Sequence, residues 1–240
     1  MTAPLADVES SSRVDELQAR IRGMQAMRLD SKAVPTHPAF EQVLPGGTLR
    51  EGTVVSVEGS TTLLMALLAG PSAAGRWVAV VGLPDFGVEA ADRFGIDLER
   101  LVLVPEPGRQ WLTVVAALAD VIPVVAARAA GRVAPAEASR LAARLRQRGS
   151  VLLVAGDWPG SDARLGVESS EWHGLGAGHG QLSVREVVVS TGGRGEFGRR
   201  ARSRLRLPDR SLRFRAAGSA ADTRSPREPV RLDDYERPAS

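Results

Sequence analysis

The residues best placed to do chemistry are Glu58, Gly59, Ser60, Thr61 and Thr62. They stand between two apolar runs, Gly52-Thr-Val-Val-Ser-Val-Glu58 and Leu63-Leu-Met-Ala-Leu-Leu-Ala-Gly70. A buried strand, a glycine turn and a helix make the frame in which backbone N–H groups wrap nucleotide phosphates. In that frame a lysine reaches the β- and γ-phosphates and a Ser or Thr hydroxyl meets Mg²⁺. This chain keeps the frame and lacks the loop. Glu58-Gly59 runs straight into Ser60-Thr61-Thr62, and the single lysine of the chain, Lys32, lies ahead of the strand. The sequence therefore reads as a nucleotide-binding architecture from which the phosphate chemistry has been deleted.

A second group is basic. Between Arg194 and Arg215 stand nine arginines against two carboxylates, Glu196 and Asp209. That is a local charge of +7 in a chain whose total is +3, which leaves −4 for the remainder. Arg194, Arg199, Arg200, Arg202, Arg204, Arg206, Arg213 and Arg215, with Tyr235 further on, are the candidate contacts to an acidic partner. Nucleic acid and an acidic protein face both fit. The plainer alternative is a solvated edge strand, where charge discourages aggregation. Only Phe197 and Phe214 interleave with the arginines, which gives base stacking little support. Gly192-Gly193-Arg194-Gly195 reads either as a phosphate-contacting turn or as a flexible hairpin.

Glu171, His173 and His179 offer a carboxylate and two imidazoles, but their spacing fits no zinc pattern and His37 is remote. No metal is expected, and the glycine-rich run from Trp172 to Gly180 reads as a mobile loop. Trp158 reads equally as an interface anchor and as core. No nucleophile–base constellation is present, and no catalytic residue or cofactor is expected. The 240 residues contain no cysteine, which excludes disulfides and thiolate metal sites and fits a reducing cytoplasm. No apolar run is long enough to span a membrane.

The elements that position these residues follow from periodicity. Val14, Leu17, Ile21 and Met24 recur every three or four residues, the mark of a helix over about 12–29 that either self-associates or docks on its own core. Pro35 and Pro38 mark residues 31–38 as a linker. Strands are expected at 53–57, 77–81, 101–104, 121–127, 150–155 and 184–190. Helices are expected at 61–69, 87–94, 110–118 and 136–148, the last led by Pro135 and ended by Gly149. Residues 205–207 and 212–215 alternate as a hairpin would. This order predicts an α/β fold with a mostly parallel sheet flanked by helices. The expected organisation is an N-terminal tail, helix and linker over 1–38, a core over 39–215 and a disordered tail over 216–240. Deleting everything after Gly192 is expected to leave the core folded.

In order and spacing these segments resemble the RecA/Rad51 recombinase core. The resemblance runs from Val43-Leu44-Pro45-Gly46-Gly47 through the strand and helix of Gly52–Leu64. It continues through Phe94-Gly95-Ile96-Asp97-Leu98-Glu99-Arg100-Leu101, Asp120–Val125 and Ser150–Ala155. It implies a RecA-like fold and places Val125 where the family carries its Mg²⁺ carboxylate, with Asp85 as a displaced remnant of the catalytic glutamate. It also places the glycine-rich run near 172–180 at a DNA-binding loop. Among ATPase-defective members the chain is most similar to the ImuA and ImuA-prime mutasome accessory proteins. That similarity implies a non-catalytic role in SOS-induced translesion synthesis. The implied partner is an ImuB-like inactive Y-family polymerase homologue, and the indirect partners are an error-prone C-family polymerase and the sliding clamp. The alternatives are a SulA-like inhibitor of the division ring, and a DNA-binding protein with residual nucleotide binding.

Overall fold

The computed structural model describes residues 32–176, 179–198 and 200–217. The expected N-terminal helix with Val14, Leu17, Ile21 and Met24 lies outside them, as do Arg199 and Tyr235. The strands are β1 (Ala33–Val34), β2 (Leu49–Arg50), β3 (Val54–Glu58), β4 (Val78–Val81), β5 (Leu101–Val104), β6 (Val124–Ala127) and β7 (Val151–Ala155). They continue with β8 (Ala163–Gly176), β9 (His179–Gly193), β10 (Ala201–Arg206) and β11 (Arg215–Ala216). The helices are α1 (Thr61–Ala73), α2 (Val88–Arg93), α3 (Trp111–Ala119) and α4 (Pro135–Arg148).

Nine strands form one sheet in the order β11-β10-β9-β8-β3-β7-β6-β4-β5. From β8 to β5 all neighbours are parallel, while β8 to β11 pair antiparallel. This is the mostly parallel, helix-flanked α/β architecture expected from sequence. The β3–turn–α1 unit lies inside the sheet, between β7 and β8. No helix among the described residues is long and apolar enough to cross a membrane.

Strand alternation builds two cores. Val55, Val57, Leu153, Val80 and Ala126 pack with α1 and α2 on one face. Val54, Leu152, Val154, Val81 and Val125 pack with α3 and α4 on the other. The parallel strands are apolar on both sides for this reason. Helix α1 is buried nearly all round, from Leu63 to Ala69. Asp120, just past α3, clamps two arginines of α4: it binds Arg144, and its Oδ1 accepts from Arg148 Nε at 3.2 Å. The Arg144 hydrogen bond above all holds the Asp120 carboxyl down to about 2.

Several expectations are corrected. Residues 31–38 are not a free linker: β1 pairs antiparallel with β2, and Val34 is fully buried. The helix expected to end at 69 runs through Gly70 and Pro71 to Ala73. The strand expected from Val121 begins at Val124, because Pro123 has no N–H to give a ladder and Val121 is 78% exposed. The Pro123 carbonyl instead accepts the Val151 N–H at 2.8 Å. The expected mobile loop at 172–180 lies on β8 and β9, two strands of 14 and 15 residues, apart from residues 177–178. Of 212–215, only Arg215 enters a strand, and it pairs with Arg206. Deletion after Gly192 would not spare the core, since Leu205, Leu207 and Phe214 belong to the α1-side cluster.

His37 joins the N-terminal strap to this cluster. Its Nδ1 accepts the Ala39 N–H at 3.2 Å, and its ring meets Phe214 edge-on at 5.9 Å. Burial, and then the positive charge of Arg215, push the imidazole below its ordinary value of 6.5. The unfolded chain therefore binds this proton more readily than the folded one. Stability is complete above pH 6.5, falls as pH drops through that value and stops falling below the folded value. The urea midpoint is expected to fall between neutral and mildly acidic pH. In His37→Asn, which keeps a capping acceptor but cannot titrate, that part of the fall should vanish. An unchanged pH profile in the variant would remove His37 as its source.

Candidate functional site

The turn after β3 contains only Gly59 and Ser60 before α1 begins at Thr61. Gly59 takes a left-handed φ of +69° that turns the chain sharply upward. Ser60 caps the helix itself: its Oγ accepts the Leu63 N–H at 3.1 Å. One of the amides at this helix end is thus taken by a side chain of its own chain. Thr61 is exposed and Thr62 partly buried, and no described basic residue stands between β3 and α1.

Glu58 does not point toward this helix end. It lies on the alternate face of β3 from Val55 and Val57, the residues that pack with α1. Its Oε1 sits 3.1 Å from Arg164 Nε, and Arg164 also binds Asp157. Asp85, in the loop after β4, is 86% exposed and 3.7 Å from Arg128. β7 and β6 stand between β3 and β4, so the strands that lead to Glu58 and Asp85 lie about 14 Å apart, three strand spacings. Val125 is a fully buried core residue. The residues singled out as a degenerate nucleotide site therefore do not converge on one point.

They meet other residues instead. On the face of the antiparallel half that carries no helix among the described residues lies a trough of about 760 Å³. Glu58, Arg164 and Trp158 line one side of it, and Arg194, Arg200 and Arg202 the other. Register explains the union. Glu58 pairs with Gly166, Gly166 with Ser190, and Ser190 with Arg202, so one row crosses four strands. Arg202, Arg204 and Arg206 alternate along β10 onto this same face. Arg202 Nε reaches Glu168 at 2.9 Å, and Arg206 Nη2 reaches Glu186 at 3.0 Å.

The remaining candidates are placed elsewhere. Asp209 accepts the backbone N–H of Ser211 and of Arg213 at 2.8 and 2.9 Å, and the Arg215 guanidinium at 2.6 Å. Burial pushes the Asp209 carboxyl up, but these donors outweigh it and hold it below the ordinary range. Arg215 thus fastens the turn that brings β11 to β10. Trp158 is buried at 2% exposure. Among the described residues no cluster of His, Cys, Asp and Glu could hold a metal, and His173 Nε2 lies 4.0 Å from Glu186.

Sequence reasoning missed Arg164, Gly166 and Ser190 as site residues. A signal was present: Ala163, Leu165 and Val167 alternate with Arg164, Gly166 and Glu168, the pattern of a half-buried strand.

Comparison with known proteins gives three findings. The family model described as the MT3502 N-terminal domain matches residues 42–160. The uncharacterized protein Rv3395c of Mycobacterium tuberculosis is 36% identical over 170 residues, covering 69% of this chain and 82% of that protein. Among solved structures, the flagellar accessory protein FlaH from Methanocaldococcus jannaschii aligns with a TM-score of 0.46 at 10% identity, over 72% of this chain and 93% of that one. The identity to Rv3395c and its extent decide the relationship: the chain belongs to the same family as Rv3395c.

Proposed function

We propose that this protein is a non-catalytic accessory subunit of a DNA-damage-induced translesion synthesis complex, of the ImuA-prime kind. It binds an inactive Y-family polymerase homologue and so supports recruitment of an error-prone C-family polymerase. One observation carries the reading. The turn between β3 and α1, where a nucleotide would be cradled, is two residues long and Ser60 caps the helix, while the opposite face of the sheet holds an arginine-lined trough. A hydrolytic site needs a phosphate cradle, a metal carboxylate and a water-positioning group together. Here the turn is two residues long, buried Val125 stands where the resemblance to the recombinase core puts the metal carboxylate, and exposed Asp85 lies 3.7 Å from Arg128.

The test is co-purification with the inactive polymerase homologue of the same organism. The full chain should capture it in stoichiometric amount, and no capture would sink the reading. A chain ending at Ala217 keeps every described strand. Full capture by that shorter chain would exclude the residues beyond Ala217 as the contact, whereas loss would assign it to them.

A further inference from the structure

The trough deepens the adaptor reading, and rests on it, by indicating what kind of segment the site takes. Its floor is made of strand positions without side chains. Gly166 and Gly192 sit on the trough face, Gly166 opposite Ser190 and Gly192 opposite Arg164. Neither takes a positive φ. A Cβ added at Gly166 would meet nothing nearer than Glu58 at 3.9 Å, and one at Gly192 nothing nearer than Arg200 at 3.8 Å. The fold therefore does not require glycine at either place. Glycine inside a strand weakens it, and it recurs where a ligand or another backbone comes close.

Charge selects the ligand. Arg164 is engaged by Glu58 and Asp157, and Arg202 by Glu168. Arg194 and Arg200 are exposed at the rim and hold no ion pair among the described residues. Guanidinium groups recognise carboxylates through paired, charge-assisted hydrogen bonds. Glu58 and Glu168 face the same space but are taken up by Arg164 and Arg202, so the surplus positive charge lies on Arg194 and Arg200. Trp158, the aromatic lining residue, is 2% exposed and offers no ring face to a base.

We propose that the trough is the docking site for an extended acidic segment of a partner protein. Its carboxylates lie on Arg194 and Arg200, and its main chain passes over Gly166 and Gly192. This is a sheet-face site: recognition comes from side chains above the floor, while the ladder hydrogen bonds stay within the sheet.

The test uses the full chain, a fluorescein-labelled oligoglutamate and a labelled oligothymidylate of matched charge. Arg194→Glu with Arg200→Glu should weaken oligoglutamate binding about tenfold or more. Gly166→Val with Gly192→Val should do the same by filling the floor, with an unchanged or raised urea midpoint. Arg109→Glu, exposed beyond β5 at the far edge of the sheet, should leave binding unaltered. Equal weakening by Arg109→Glu, or tighter binding of oligothymidylate than of oligoglutamate, would overturn the proposal. Capture of the polymerase homologue that survives both double variants would overturn the trough and leave the adaptor reading standing. Oligoglutamate binding sensitive to both double variants, without capture by the full chain, would do the reverse.

Discussion

Trp158→Ala will lower the stability of this protein by about 3–5 kcal/mol. The side chain is 2% exposed and meets Trp111 of α3 edge-on, with ring centroids 6.1 Å apart and an interplanar angle of 89°. It belongs to the cluster that contains Val54, Leu152 and Val154. Truncation leaves a cavity beside Trp111 and the packed strand residues, so the cavity cost adds to the lost transfer energy. At about 2–4 °C per kcal/mol for a domain of this size, the thermal midpoint should fall by on the order of 10 °C. Trp158→Phe should recover part of the loss, because it keeps a ring against Trp111. A fall below about 1 kcal/mol would mean that the indole is not core, returning the interface-anchor reading. The site should suffer too, since Trp158 lines the trough beside Glu58 and Arg164.

Gly70→Ala will destabilise by about 3 kcal/mol, for a different reason. Gly70 lies within α1, where the strap of residues 36 and 37 crosses the helix. A Cβ there would come 2.3 Å from the His37 backbone nitrogen and 2.6 Å from the Thr36 carbonyl carbon. Both obstacles are main chain, so no side-chain rotation relieves them. The strap is fixed as well: Thr36 Oγ1 accepts the Leu49 N–H at 2.8 Å and donates to the Val34 carbonyl at 2.7 Å. The variant must displace the strap, exposing Val34 and Phe40, which are both fully buried. Urea unfolding measures the loss, and hydrogen exchange at the Val34 and Leu49 amides locates it. An intact midpoint with protected amides would show that helix and strap part without cost. Gly59→Ala is the contrast: nothing lies within 4 Å of its added Cβ, so only the left-handed φ of +69° is penalised, by about 1–2 kcal/mol.

The parallel half of the sheet was legible because its strands carry apolar side chains on both faces. Val78-Ala-Val-Val81, Leu101-Val-Leu-Val104 and Val151-Leu-Leu-Val-Ala155 are continuous apolar runs, and each proved to be a strand. Helix α4 was equally readable, with Pro135 opening it and Gly149 closing it at a φ of +71°. Strand β8 was not read, because beyond Val167 it has no continuous apolar face. A bulge between Val167 and Ser169 shifts its register, and Glu171, Trp172 and His173 are all exposed. The 31–38 strap was misread because prolines signal a break in regular structure but say nothing of burial. Its place is decided by contact with α1 at Gly70, which no local pattern encodes.

By itself, then, the sequence determined that this chain folds as a mostly parallel α/β sheet and that only Gly59 and Ser60 stand between a buried strand and its helix. Both are local facts, written in apolar runs and in the count of residues between a strand and a helix. Only the tertiary structure decided where the arginines meet anything. Glu58 and Arg202 are far apart along the chain, yet the pairing of β3 with β8, β8 with β9 and β9 with β10 sets them in one row on one face. Register between strands distant in sequence is fixed by which faces bury together, so the trough exists only once the sheet has closed around its core.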